Sequence, residues 1–289
     1  MRHLLLLLLF TAPVLAQISP PDKARLVGSD PVVTFRWPGK ANQSYFLQIL
    51  AGTAEAYAES VKGNSIQLRL RPGPLYRWKA SQIVGGGYRT VAEGQFQLSS
   101  DLVFDFNGRR GRDGLEAPRS GSYSLPHEGG RGEAGGNAPN LRIELVPGEE
   151  YTAVTITGAP AIRRFLLLPG SQPLQIFAQG GDGGSGGAGS QGYPGYFEFY
   201  NGYVTYTGVP GGNGGPGGPG GNGGNVVIDG PPDLVEVHNE GGRGGEGGLA
   251  GASSRPYNTP PYGYSYPQIA DGRPGPAAPD GRDGVVTRR

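Results

Sequence analysis

Gly211-Gly-Asn-Gly-Gly-Pro-Gly-Gly-Pro-Gly-Gly-Asn-Gly-Gly224 holds glycine at two of every three positions. One glycine row runs through 208, 211, 214, 217, 220 and 223, and a second through 212, 215, 218, 221 and 224. A left-handed helix of polyproline-II type has three residues per turn, so each row forms one face of such a helix. Two faces are then bare and one is decorated. Bare faces let neighbouring backbones approach closely enough to exchange N–H···O and Cα–H···O bonds. At ~3.1 Å per residue, 208–224 spans about 50 Å. A triple helix would instead need Gly-X-Y over a long unbroken stretch, and these runs are short.

The same word recurs through the second half. Glycines stand at 180, 183, 186, 189, 192 and 195 beside 181, 184 and 187, and at 241, 244 and 247 beside 242, 245 and 248. Shorter traces occur at 108–114, 129–136 and 272–284. The decorated row carries Asp182, Ser185 and Ala188, then Asn213, Pro216, Pro219 and Asn222, then Arg243 and Glu246. These residues read as sharing no chemistry beyond tolerating solvent. Ordering glycine costs about 0.5–1 kcal/mol per residue beyond alanine, so the alternative is a disordered low-complexity spacer. Against it stand apolar segments threaded between the runs: Leu141–Val146, Tyr151–Thr157, Ile162–Leu168, Pro173–Ala178, Asn225–Ile228 and Asp233–His238. Several alternate with period two, as half-buried strands do. The pattern predicts a sheet packed against a layer of glycine-rich helices.

Upstream the composition changes. Residues 1–100 hold nine of the 55 glycines and residues 101–289 the other forty-six, with a break near Ser99–Asp101. From Ala24 to Leu98, short alternating segments such as Val33-Thr-Phe35-Arg-Trp37 and Ile66-Gln-Leu68-Arg-Leu70 are separated by turn signals about every ten residues, the mark of a β-sandwich. Trp37 and Trp78 read as core. The fold class expected is all-β, an N-terminal sandwich over 17–100 followed at 101–289 by strands alternating with glycine-rich polyproline-II-type helices. Residues 1–16 read as a signal peptide. Arg2 and His3 precede the apolar run Leu4–Phe10, and Val14-Leu-Ala16 offers a cleavage site before Gln17. The apolar run is too short for a transmembrane helix. The expected location is therefore exported: periplasm, cell surface or extracellular, without a transmembrane anchor. A formal net charge of +1 gives no basis for nucleic-acid binding. The absence of cysteine excludes disulfides, thiolate catalysis and Cys-ligated zinc.

The stretch bearing Trp37, the Leu70-Arg-Pro-Gly-Pro-Leu-Tyr76-Arg-Trp78 corner and Phe96-Gln-Leu98 resembles a fibronectin type III or related immunoglobulin-like module over about 80 residues. Gly180-Gly-Asp-Gly-Gly-Ser-Gly-Gly-Ala-Gly189 and the 211–224 run resemble three other groups. These are the polyglycine-II bundles of glycine-rich antifreeze proteins, the tip adhesins of phage tail fibres, and the exported Gly-Gly-X "collagen-like" proteins of Gram-negative bacteria. The chain departs from them by alternating its runs with strands and by lacking the cystines of the antifreeze proteins. Asp182, Arg243 and Glu246 also spoil the regular small or hydroxylated row that ice binding would need. In adhesins of this kind, loops joining the helices recognise the receptor.

By that resemblance two tyrosine-rich insertions form the candidate binding surface. The first holds Tyr193, Tyr196, Phe197, Phe199, Tyr200, Tyr203 and Tyr206, with Asn201-Gly202 at its centre, a strong hairpin signal. The second, a loop, holds Tyr257, Tyr262, Tyr264 and Tyr266. Tyrosine offers large contact area, little entropy to lose and a polar tip. The competing reading is a hairpin that packs on the bundle or caps a sheet edge. Asp105–Asp113 lacks the regular oxygens and bidentate Glu of a calcium loop and reads as a turn into the first run. Gly180–Gly189 follows a strand but opens no helix, so it is not a phosphate loop. His127 and His238 have no nucleophilic or ligating partners in the pattern. The expectation is a non-enzymatic structural or adhesive surface protein with no cofactor and no metal, its partner an envelope or surface protein or a glycan. Self-association through bare glycine faces is a further expected mode. The alternatives are a carbohydrate- or envelope-binding module and a disordered spacer.

Overall fold

A computed structural model describes residues 18–121, 125–158, 160–201, 203–254 and 269–289. The expected signal peptide falls outside them. The fold is all-β. Its first strands are β1 (Ala24–Val27), β2 (Val32–Arg36), β3 (Ser44–Ala51), β4 (Ala54–Lys62), β5 (Ser65–Arg69), β6 (Leu75–Val84), β7 (Gly87–Ser99) and β8 (Val103–Asp105). Then come β9 (Leu141–Pro147), β10 (Thr152–Thr157), β11 (Arg163–Leu167), β12 (Leu174–Phe177), β13 (Phe197–Tyr200), β14 (Tyr203–Tyr206), β15 (Val226–Asp229), β16 (Val235–His238) and β17 (Val286–Arg288). One 3-10 turn, Pro232–Leu234, is the whole helical content among the described residues. Two compact units share the chain. The first takes Met1–Leu102 together with Val146–Val154 and Arg164–Gln172, and the second takes the rest.

In the first unit, β6 pairs antiparallel with β7 and β3, and β3 pairs with β4. β1 lies parallel between β7 and β11, while β2 and β5 form a separate two-stranded sheet. Alternation puts Val33, Phe35 and Trp37 into a core with Leu47, Ile49, Trp78, Phe96 and Leu98. Phe35 meets Trp78 and Phe96 edge-on, with ring centroids 5.6 and 5.9 Å away. Both tryptophans are core residues, Trp37 at 0% and Trp78 at 2% exposure. At the Arg71–Pro74 corner the Tyr76 hydroxyl donates back to the Arg71 carbonyl at 2.7 Å. The later segment is tied in by polar contacts. The Tyr151 hydroxyl donates to the Thr34 carbonyl at 2.9 Å, and Arg36 pairs with Glu149 and Glu150 at 3.1 and 2.8 Å.

The second unit is built on two three-stranded parallel arrangements, β8-β12-β16 and β9-β15-β17. Their buried apolar rows include Phe104, Leu174, Ile176, Val235, Leu141, Ile143, Val226 and Ile228. Each strand of the first set leads directly into a glycine run, at Gly108, Gly180 and Gly241. Each strand of the second set receives one, after Ala138, Gly224 and Gly284. Six runs result, in chain order 108–117, 129–138, 180–192, 211–224, 241–252 and 272–284.

One hydrogen-bond rule relates the runs. From the second on, each donates a row of N–H groups to the run before it, antiparallel, and the first four donate another row to the run two further on, parallel. In the third run Gly181, Gly184 and Gly187 donate to Gly136, Glu133 and Gly130 at 2.8–2.9 Å, and Gly180, Gly183, Gly186 and Gly189 to Glu240, Arg243, Glu246 and Leu249 at 2.8–2.9 Å. The fourth run repeats this with Gly218 to Gly184 and Gly217 to Pro276. A Cβ built on almost any of these glycines strikes a neighbouring backbone carbonyl. On Gly184 it meets that of Arg112, and on Gly183 that of Gly218. None of the positive-φ glycines lies in a run. These positions need glycine for its missing side chain rather than for its conformational range.

The decorated row has a role that the sequence reading missed. Its own N–H groups are taken by Asn and Asp side chains of the run two earlier. Asn107 and Asp113 accept from Gln179 and Ser185, Asn137 and Asn140 from Asn222 and Asn225, and Asp182 from Arg243. Asn213, Asn222 and Asn225 accept from Arg273, Arg282 and Val285. With the fourth and sixth runs offset by 60 residues, Pro216 and Pro219 stand opposite Pro276 and Pro279, which have no N–H to satisfy. Acceptor side chains thus occur opposite donors, and prolines opposite prolines. The signal was in the sequence, but only an alignment of the runs at this offset reveals it.

Candidate functional site

The first tyrosine-rich insertion leaves the third run after Gly192 and enters the fourth at Gly211. The Asn201-Gly202 signal falls between two paired strands, with Asn201 in a turn at φ +49°. β13 and β14 pair antiparallel in the register Phe197↔Tyr206, Glu198↔Thr205, Phe199↔Val204 and Tyr200↔Tyr203. Below the strands, Tyr196 donates its N–H to the Thr207 hydroxyl at 3.2 Å, and Val209 donates to the Tyr193 carbonyl at 3.0 Å.

Alternation divides the hairpin into two faces. Phe197, Phe199, Val204 and Tyr206 share one. Phe197 is buried on it, with the Tyr206 ring 5.3 Å away. The Tyr206 hydroxyl accepts from the Gly195 N–H at 3.2 Å, and its ring lies where a side chain on Gly208 would be. Glu198, Tyr200, Tyr203 and Thr205 share the other face, with Tyr200 and Tyr203 each 77% exposed. Phe199 at 59% and Tyr196 at 45% extend the exposed aromatic surface. The hairpin therefore both packs and presents. Tyr193, Phe197 and Tyr206 belong to its anchored part, and Tyr196, Phe199, Tyr200 and Tyr203 to its displayed part.

The run ends place this hairpin. Ala117 donates to Ala188, Gly192 to Ala252, and Gly211 to Ala270, so the first, third and fifth runs finish side by side. The Ser254 hydroxyl also donates to the Gly192 carbonyl at 2.6 Å. The connections between runs one and two, three and four, and five and six consequently leave from the same end, opposite the strands. Tyr257, Tyr262, Tyr264 and Tyr266 lie in the last of these connections and outside the described residues.

The other chemical candidates resolve locally. Asp105 accepts from the Asn107 N–H at 2.9 Å, a turn that starts the first run. The Phe177 ring stacks on His238 at 4.6 Å, and His238 Nε2 lies 3.0 Å from the Gln175 side-chain oxygen. Among the described residues no three His, Asp or Glu side chains gather where they could hold a metal ion. No helix there is long and apolar enough to cross a membrane. On the first unit Asp22, Arg77, Trp78, Lys79 and Glu93 are among the residues lining an open depression of about 520 Å³. It contains no histidine or serine among its lining residues. No known protein family matches the chain, and no curated protein matches it either.

Proposed function

We propose that the protein is an exported, non-enzymatic structural or adhesive surface protein. Its glycine-rich unit is a bundle of six polyproline-II-type helices serving as a rigid scaffold, and its first unit is a fibronectin type III-like sandwich. The three-residue period of the inter-run hydrogen bonds supports the bundle. The two facing rows of core side chains and the Tyr76 corner bond support the sandwich. The partner is a glycan or another component of the envelope or cell surface, held by the hairpin.

One observation carries the binding reading. Phe199, Tyr200 and Tyr203 are among the most exposed aromatic side chains of the described chain, yet they sit on a strand pair of fixed register at the end of a rigid bundle. Clustered exposed aromatics mark interaction surfaces, and a preorganised platform loses little entropy on binding. A glycan array and a pull-down on cell-envelope material, run with the mature protein and with Tyr196, Tyr200 and Tyr203 all changed to Ala, test this. Retention by the parent and loss of at least ~10-fold in affinity by the triple variant is expected. No retention by the parent, or equal retention by both, would remove the binding role.

A further inference from the structure

The donor rule leaves a row over in the fifth run. There Gly241, Gly244 and the positions continuing that row to Ser253 direct their N–H groups to where a run two further on would lie, and among the described residues no run lies there. These donors meet side chains instead. Gly241 donates to Asp283 at 2.8 Å, Gly244 to Asp280 at 2.6 Å and Ser253 to Asp271 at 2.6 Å. All three acceptors stand on one row of the sixth run, which reads Asp271, Pro274, Ala277, Asp280, Asp283. In the third, fourth and fifth runs this row is predominantly glycine, and it is what lets the next backbone approach. The sixth run keeps bare only the row that faces the fifth, at Gly272, Gly275, Gly281 and Gly284.

The direction of these bonds sets them apart. The other cross-run bonds in which Asn or Asp accepts a backbone N–H go from a decorated position to the run two later, whereas these three go from the sixth run back to the one before it. They also satisfy N–H groups of the row that elsewhere binds backbone carbonyls. What they exclude can be named. A run added here must bring a carbonyl row of its own, the row that in runs three to six accepts from two runs earlier. The first run has no such predecessor. Among the described residues its carbonyls at Asn107, Arg110 and Asp113 receive no backbone N–H, so the first run of a second copy has the row required.

We propose that Asp271, Asp280 and Asp283 end the bundle by occupying the donor row onto which the first glycine run of a second copy would otherwise add. Sedimentation velocity over a concentration series tests this with the mature full chain. The parent and the D271N/D280N/D283N variant are expected to sediment as one unchanging species, because asparagine keeps the accepting oxygen. The D271G/P274G/A277G/D280G/D283G variant, which frees the donors and bares the row, is expected to grow with concentration. A glycine variant that melts like the parent and still does not associate overturns the proposal. So does an asparagine variant that associates as strongly as the glycine one, since charge repulsion would then be the cause. Should the glycine variant fail to fold, residue-resolved amide exchange decides. D283A must speed exchange at Gly241, and D280A at Gly244, by roughly tenfold or more. Free exchange at both glycines in the parent would refute the cap.

Discussion

A β-carbon on Gly184 would run into the Arg112 carbonyl, and one on its neighbour Gly183 into that of Gly218. Neither obstacle is the movable end of a side chain. Gly184→Ala should therefore cost about 3 kcal/mol, as overpacking against fixed atoms does. Gly121→Ala, where the added carbon meets nothing within 4 Å, should stay within ~0.5 kcal/mol. Chemical denaturation of the two variants beside the parent measures both. In the first unit, burial pushes the Tyr151 hydroxyl up to about 12 from its ordinary 10.0, against a smaller opposing pull from its hydrogen bond with Ser19. The folded state thus holds this proton more tightly than the unfolded chain. Its contribution is complete below pH 10 and is lost as pH climbs from about 10 to about 12, on the order of 2–3 kcal/mol. Tyr151→Phe should flatten that part of the alkaline decline, as seen by urea unfolding at pH 8, 10 and 11.5.

At the scale of elements, the hairpin turns on Asn201, held at φ +49°. A β-branched residue is strained there, so Asn201→Val should destabilise β13 and β14 locally by about 1–2 kcal/mol. Amide exchange should quicken in 197–206 while the melting of the runs stays unchanged. This hairpin was legible because Asn-Gly between alternating aromatics has few other meanings. The strands between the runs were legible for a similar reason, since their apolar residues alternate. β4 was not, because Ala54-Glu-Ala-Tyr-Ala-Glu-Ser-Val-Lys62 is largely exposed and lacks that alternation. Neither was the return of Val146–Val154 and Arg164–Gln172 to the first unit. Leu26 pairs with Leu166, and no local pattern encodes a partner so far along the chain. The matched asparagines and prolines escaped notice because their offsets are set by strand register, which single runs do not contain.

For the second unit as a whole, register is decided at the strand end. Val103 pairs with Gln175, and the Asn107–Gln179 bond keeps the same offset of 72 residues into the runs. The same continuity links the Val226–Leu141 pair to the Asn225–Asn140 bond at an offset of 85. Replacing 197–206 with a flexible Gly/Ser segment of equal length should therefore move the melting temperature of the second unit by no more than ~2–4 °C, measured by calorimetry. Binding through the hairpin should disappear with it. Among the described residues the two strands of this hairpin pair only with each other. Whatever emerges at the loop end is thus insulated from the machinery that aligns the shaft, and new tips can be tried there, by mutation or by grafting, without renegotiating the fold. The molecule is built like a tool with an exchangeable bit.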